Sequence, residues 1–80
     1  MQNIKEFICP ITNEIMNDPV IDNEGNSYER LAILEWLKKS KTSPITRQSL
    51  YEINLSPNRA LKNMIDEFKK KYPNMRSWGN

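Results

Sequence analysis

The sequence has no histidine, one cysteine and two glycines in 80 residues, and its apolar positions never run on for long. Each shortage excludes a class of chemistry. A structural zinc site takes four Cys or His ligands in tetrahedral geometry, and Cys9 alone cannot supply one. A reactive cysteine needs a neighbouring base or cation that favours the thiolate. Without histidine, and with Phe7, Ile8, Pro10 and Ile11 around it, Cys9 reads as a buried, inert thiol. Gly25 and Gly79 stand too far apart for a glycine-rich phosphate loop. No apolar stretch approaches the roughly 18 to 20 residues that a membrane span needs, and Met1 to Ile4 form no apolar leader. The lone thiol points the same way as these absences, toward a reducing compartment. The expectation is a soluble cytoplasmic protein, with the nucleus as the alternative compartment.

A chain of 80 residues makes one domain, near the size at which a single core leaves little surplus stability and small domains add a disulfide or a metal. Neither is available. What remains is a well-satisfied polar network, tight helix packing, or burial against a partner or a second copy. The net charge is +2. Much of the positive charge lies in Lys69-Lys70-Lys71, on a helical pattern, and reads as a solvated face.

No internal repeat is visible in the sequence, which divides into a loop-rich first half and a helical second half. The folded unit is expected over 7–72, after an N-terminal extension at 1–6 and before a polar tail at 73–80. Two loops are marked by proline, which fixes φ and removes a donor: one between Phe7 and Met16, the other at Ser43-Pro44-Ile45-Thr46-Arg47. Pro19-Val20-Ile21 and Ser27-Tyr28 flank a turn-rich segment holding Gly25, a β-hairpin signal. A helix is predicted over about 29–39, opened by Glu29, closed by Lys38 and Lys39, and carrying an Ile33, Leu34, Leu37 stripe. Tyr51 to Leu55 predicts a short strand or turn. Ser56-Pro57 reads as an N-cap with proline at the first helical position. That opens a helix over about 57–72, whose stripe of Leu61, Ile65, Phe68 and Tyr72 is widened by Met64 and stopped by Pro73. The fold class is α+β, with a small hairpin or three-stranded sheet.

Ile11 and Ile45 each stand beside a fixed backbone in a Pro-marked loop, and Trp36 lies at the edge of its helix face. Core filling remains open for all three. Together they offer a shallow apolar patch on preordered backbone, which is what a small protein-binding surface needs. Arg47 adds a planar guanidinium able to bridge two partners, the alternative being a local ion pair. The neighbouring carboxylates Asp66 and Glu67 read as solvated charge on a helix.

These residues resemble the U-box domains of ubiquitin ligases. The likeness runs from about Phe7 to Tyr72 through Cys9-Pro10-Ile11, Glu14, Met16, Asp18-Pro19-Val20, Gly25, Tyr28-Glu29-Arg30, Trp36-Leu37, Pro44-Ile45-Thr46-Arg47, Leu50, and Leu55 with Pro57-Asn58. A U-box is similar to a RING domain in which hydrogen bonds and ion pairs replace the zinc ligands. The resemblance implies that Asp18, Glu29, Arg30, Ser43, Thr46 and Asn58 are candidates for holding the two loops, with no metal and no cofactor. It implies that Ile11, Trp36 and Pro44, with Ile45 beside them, contact a ubiquitin-conjugating enzyme, while Leu37 belongs to the core. Asn13 stands where some relatives carry an aromatic contact. Arg47 falls where many such ligases place a cation touching both the conjugating enzyme and its ubiquitin.

The implied activity is transfer of ubiquitin from the conjugating enzyme directly to a lysine of a protein substrate, with no covalent ligase intermediate. The competing reading is a non-catalytic interaction or dimerisation module, so a homodimer stays open as a partner. Nucleic-acid binding through Lys69-Lys70-Lys71, Tyr72, Arg76 and Trp78 is set aside, because Asp66 and Glu67 adjoin that patch and the net charge is small.

Overall fold

Two short antiparallel strands, β1 (Pro19–Ile21) and β2 (Ser27–Glu29), lie at the centre of the computed structural model, which describes residues 4–72. They pair Pro19 with Glu29, Val20 with Tyr28 and Ile21 with Ser27. The Val20–Tyr28 pair points into the core, at 4% and 0% exposure. The turn between them is held by Asp22, whose Oδ1 accepts the N–H groups of Glu24 at 2.8 Å and Asn26 at 2.9 Å. Gly25 has φ 90°, and a Cβ there would meet nothing within 4 Å. The requirement for glycine is therefore one of backbone conformation and not of space.

Helix α1 (Arg30–Lys39) leaves β2 directly. It buries Ile33 and Leu37, while Leu34 sits half-buried at the edge of the predicted stripe. Burying side chains of this size contributes about 2 kcal/mol each. Two 3-10 turns, Ile4–Phe7 and Glu52–Asn54, lead into the first loop and out of the second. The first of these occupies residues 4–6 of the expected extension and delivers Phe7 to the core.

The start of the last helix differs from the sequence expectation. Ser56 and Pro57 do not cap it; they form β3 (Ser56–Pro57), an edge strand paired antiparallel with β1, giving the order β2-β1-β3. An edge position suits Pro57, which has no N–H to give. Asn58 is the N-cap of α2 (Arg59–Lys71), its Oδ1 accepting Leu61 N–H at 3.2 Å. Its Nδ2 donates to Ser27 Oγ at 3.0 Å and its N–H to Pro19 O at 2.9 Å. One side chain thus caps the helix and ties it to the sheet, which a serine two residues earlier cannot do. These bonds reach neither Pro loop, so Asn58 joins sheet to helix and does not hold the loops.

Helix α2 buries Leu61 and Ile65, and Phe68 meets Phe7 edge-on at 5.4 Å between ring centroids. Tyr72 follows against Phe68 at 5.0 Å. Met64 lies off this face and is 41% exposed. The core comprises Phe7, Leu61 and Ile65 with Cys9, Ile15, Met16, Val20, Tyr28, Ile33, Leu37 and Leu50, and Phe68 packs against it, while Tyr72 is 40% exposed. No helix among the described residues is long and apolar enough to cross a membrane. The expected tail, with Arg76 and Trp78, lies outside the described residues.

Asn58→Ala is expected to lower the unfolding free energy by about 1–2 kcal/mol, against less than about 0.5 kcal/mol for Ser56→Ala. Urea denaturation of the two variants measures the difference. Equal losses would return the cap to Ser56.

Candidate functional site

The two proline loops are the same structure built twice. Cys9-Pro10-Ile11-Thr12-Asn13-Glu14 and Ser43-Pro44-Ile45-Thr46-Arg47-Gln48 share Pro-Ile-Thr, and four hydrogen bonds recur at matching positions in the two. The first residue donates its N–H to the sixth carbonyl, Cys9 to Glu14 at 2.9 Å and Ser43 to Gln48 at 2.7 Å. The fifth donates to the first carbonyl, Asn13 to Cys9 at 2.8 Å and Arg47 to Ser43 at 2.9 Å. The first side chain accepts the third N–H: Ile11 to Cys9 Sγ at 3.4 Å, Ile45 to Ser43 Oγ at 3.1 Å. The fourth hydroxyl accepts the sixth N–H: Glu14 to Thr12 at 3.1 Å, Gln48 to Thr46 at 3.3 Å. Each loop is closed by one antiparallel bridge, Ile8 with Ile15 and Thr42 with Ser49. Proline fits the second position because no hydrogen bond is asked of its nitrogen. The sequence reading of no internal repeat is therefore corrected at the scale of six residues.

The repeat also dictates backbone strain. Asn13 and Arg47, both fifth, have φ of 62° and 67°. Asparagine enters the left-handed region readily, whereas arginine there costs roughly 1 kcal/mol.

Both loops hang from neighbouring residues of β2. Glu29 donates its N–H to Cys9 Sγ at 3.3 Å, and its carboxylate accepts the N–H groups of Asn17 at 2.7 Å and Asp18 at 3.0 Å. The carboxylate therefore fixes the chain after the first loop and makes no cap bond to α1. Tyr28 donates its hydroxyl to Asp22 Oδ2 at 2.9 Å and stands 3.3 Å from Ser43 Oγ. Tyr28, Ser43 and Asp22 are 0%, 1% and 6% exposed. The phenol has one hydrogen bond to donate, and Asp22 accepts it, so the Ser43 hydroxyl donates to the phenol oxygen. Its lone pairs are then free for the N–H groups of Ile45 and Thr46, both at 3.1 Å. Burial pushes the Tyr28 pKa up to about 12; the Ser43 hydrogen bond opposes this and the Asp22 carboxylate adds to it. No buried side-chain nitrogen or oxygen among the described residues lacks a partner.

The remaining expected pins are peripheral. Arg30 and Asp18 pair at 2.8 Å, both about half exposed, an arrangement worth about 0–1 kcal/mol. Thr46 donates to Glu24 Oε1 at 3.0 Å on the surface. Sequence reasoning missed Tyr28, Asp22 and Glu24 in this network, and it missed Cys9 as an acceptor equivalent to Ser43. The recurrence of Pro-Ile-Thr after Cys9 and Ser43 was the available signal.

Of the candidate contact residues, Trp36 is half-buried and donates its indole N–H to Thr42 O at 2.7 Å, which fastens α1 to the stem of the second loop. Ile11 packs partly against the core, and Pro44 is half-buried. Ile45 is 49% exposed. It lines a groove of about 420 Å3 with Ile8, Pro10, Asn26 and Asn58, in which Ile11, Trp36, Pro44 and Arg47 take no part. Asn13 and Arg47 are exposed. The Arg47 guanidinium joins none of the ion pairs found among the described residues, so the local pairing left open by the sequence does not form.

The chemistry this arrangement offers is that of two stiff loops presenting apolar and cationic side chains. Among the described residues no group of three or more His, Cys, Asp or Glu is placed to hold a metal ion.

Tyr28 loses its proton near pH 10 in the unfolded chain and near 12 in the fold. Its contribution to stability is complete below pH 10 and declines as the pH rises toward 12. Tyr28→Phe is expected to lower stability by about 1–3 kcal/mol at neutral pH and to remove this part of the alkaline decline. Denaturation of both proteins between pH 8 and 12 reads the difference; parallel curves would contradict the buried phenol.

Comparison with known proteins agrees with this architecture. The model of the U-box domain family matches residues 5–74. The chain is 52% identical over 64 residues to the human WD repeat, SAM and U-box domain-containing protein 1, covering 79% of the chain and 13% of that protein. It is 56% identical over 61 residues to the zebrafish (Danio rerio) protein of the same name, covering 75% of the chain and 12% of the relative. The Arabidopsis thaliana U-box domain-containing protein 34 is 48% identical over 63 residues, covering 79% of the chain and 8% of the relative. The chain thus spans a small fraction of the length of these relatives. With a family match across nearly all the described residues, the α+β fold and the paired Pro loops, the chain belongs to the U-box family, a family of ubiquitin ligase domains.

Proposed function

We propose that this domain binds a ubiquitin-conjugating enzyme carrying ubiquitin as a thioester and promotes direct transfer of that ubiquitin to a lysine of a protein substrate. Ile11, Trp36 and Pro44 form the conjugating-enzyme contact, with Asn13 at its edge and Ile45 as an outlying member. Arg47 bridges the conjugating enzyme and ubiquitin, holding the thioester carbonyl in a geometry that the lysine amine can attack. Catalysis of this kind works by positioning and by fixed donors. No bond forms to the domain, which suits a buried Cys9 serving as a hydrogen-bond acceptor.

The observation that carries the reading is the state of Arg47. A long cationic side chain occupies a left-handed backbone position that glycine or asparagine would fill with less strain, and its guanidinium is exposed and unpaired among the described residues. Local stability gives no reason for arginine there; a partner bearing oxygen acceptors does.

Arg47→Ala is expected to keep the fold and binding within about threefold while slowing discharge of ubiquitin to free lysine about tenfold or more. Arg47→Gly, which relieves the backbone, should be as slow and up to about 1 kcal/mol more stable than Arg47→Ala. Ile11→Ala should instead weaken conjugating-enzyme binding about tenfold. Single-turnover discharge with calorimetric binding measures all three. Discharge indifferent to both Arg47→Ala and Ile11→Ala would favour a non-catalytic interaction or dimerisation module.

A further inference from the structure

Tyr28 is fully buried, and its phenol meets the loop that carries Arg47 at Ser43. Its hydroxyl donates a hydrogen bond to Asp22 Oδ2 at 2.9 Å. Its oxygen is then the acceptor for the Ser43 hydroxyl, at 3.3 Å. This fixes the rotation of that hydroxyl and turns both lone pairs toward the N–H groups of Ile45 and Thr46. The Ser43 carbonyl accepts Arg47 N–H at 2.9 Å and closes the left-handed turn. Without the phenol oxygen, the Ser43 hydroxyl loses the acceptor it has among the described residues and can rotate away from the loop N–H groups. The first loop does not share this dependence: its equivalent acceptor, Cys9 Sγ, is held by the backbone N–H of Glu29 at 3.3 Å.

We infer that Tyr28 is a positioning residue for Arg47, acting through Ser43 on the second loop alone, while the first loop is set separately from the next residue of β2. The inference rests on the ligase reading above and adds to it a division of labour: contact through the first loop survives a change that disorients the guanidinium. A displacement of about an ångström at a positioning group is enough to slow a reaction tenfold to a hundredfold.

The test compares Tyr28→Phe, Arg47→Ala and the double variant in discharge at saturating domain, with the affinity for uncharged conjugating enzyme measured alongside. Tyr28→Phe is expected to slow discharge about tenfold and to weaken affinity less, by about threefold, through Pro44 and Ile45 on the same loop. In the Arg47→Ala background it should change discharge by less than about twofold, because the two residues act in series. Ser43→Cys supplies a second variant that does not remove the loop acceptor: the thiol accepts the loop N–H groups as Cys9 does in the first loop, but donates weakly to Tyr28. It should fold and be slow in discharge, with affinity reduced no further than in Tyr28→Phe. Loss of affinity in step with rate, or losses that multiply in the double variant, would overturn the inference and reduce Tyr28 to general support of the fold. A parent domain that binds conjugating enzymes but discharges none of them would overturn the ligase reading itself.

Discussion

The run of hydroxyls from Ser43 through Tyr28 to the Asp22 carboxylate is the constraint on which the rest of the molecule depends. A domain this small has no disulfide to stiffen it, and a polar chain in a low-dielectric core is stabilising only when every member is satisfied. Here each one is. Asp22 accepts the phenol hydroxyl on one oxygen and two turn N–H groups on the other. Tyr28 accepts the serine hydroxyl, and Ser43 accepts two loop N–H groups. The hairpin turn, β2 and the second loop are thereby one unit, and removing any link leaves a buried polar group alone at a cost of about 1–3 kcal/mol.

The first loop solves the same problem with different atoms. Sulfur replaces oxygen as the acceptor at the head of the loop, and a backbone N–H replaces the phenol as the group that holds it. The positions are equivalent, but the chemistry is not interchangeable. A thiol is a weak acceptor, which suits a loop also braced by the Glu29 carboxylate on the segment that follows. A serine hydroxyl is directional, which suits a loop whose fifth residue is an arginine held in strain. One backbone design therefore presents asparagine on one side and arginine on the other, each in the left-handed region, with different stiffness behind them.

Much of this was legible in the sequence, and what was not has physical causes. The hairpin was visible because a glycine suited to positive φ separates two β-prone runs. The body of each helix was visible because Ile33 with Leu37, and Leu61 with Ile65, recur at helical spacing. The start of α2 was misread because Ser56-Pro57 satisfies an edge strand as well as a helix cap; pairing with β1, far away in sequence, decided between them. Tyr28 was missed because a three-residue strand is too short for alternation to declare which side faces the core. Asn58 looked like a loop-holding residue because its hydrogen-bonding capacity is evident from sequence while its partners, Ser27 and Leu61, are not. Of the contact residues, Ile11 and Ile45 are identical in type and equivalent in loop position. Their surroundings differ, one against the core and one in an open groove, because the two loops meet different neighbours.

Amide hydrogen exchange in the Tyr28→Phe protein tests most directly whether β2 holds the two loops by separate bonds. The account predicts that the amides of Ile45, Thr46 and Arg47 lose protection while those of Cys9, Ile11 and Asn13 keep theirs, with the helical amides of Ile33 and Ile65 as the reference for global stability. Loss of protection in both loops together, or in neither, would contradict it.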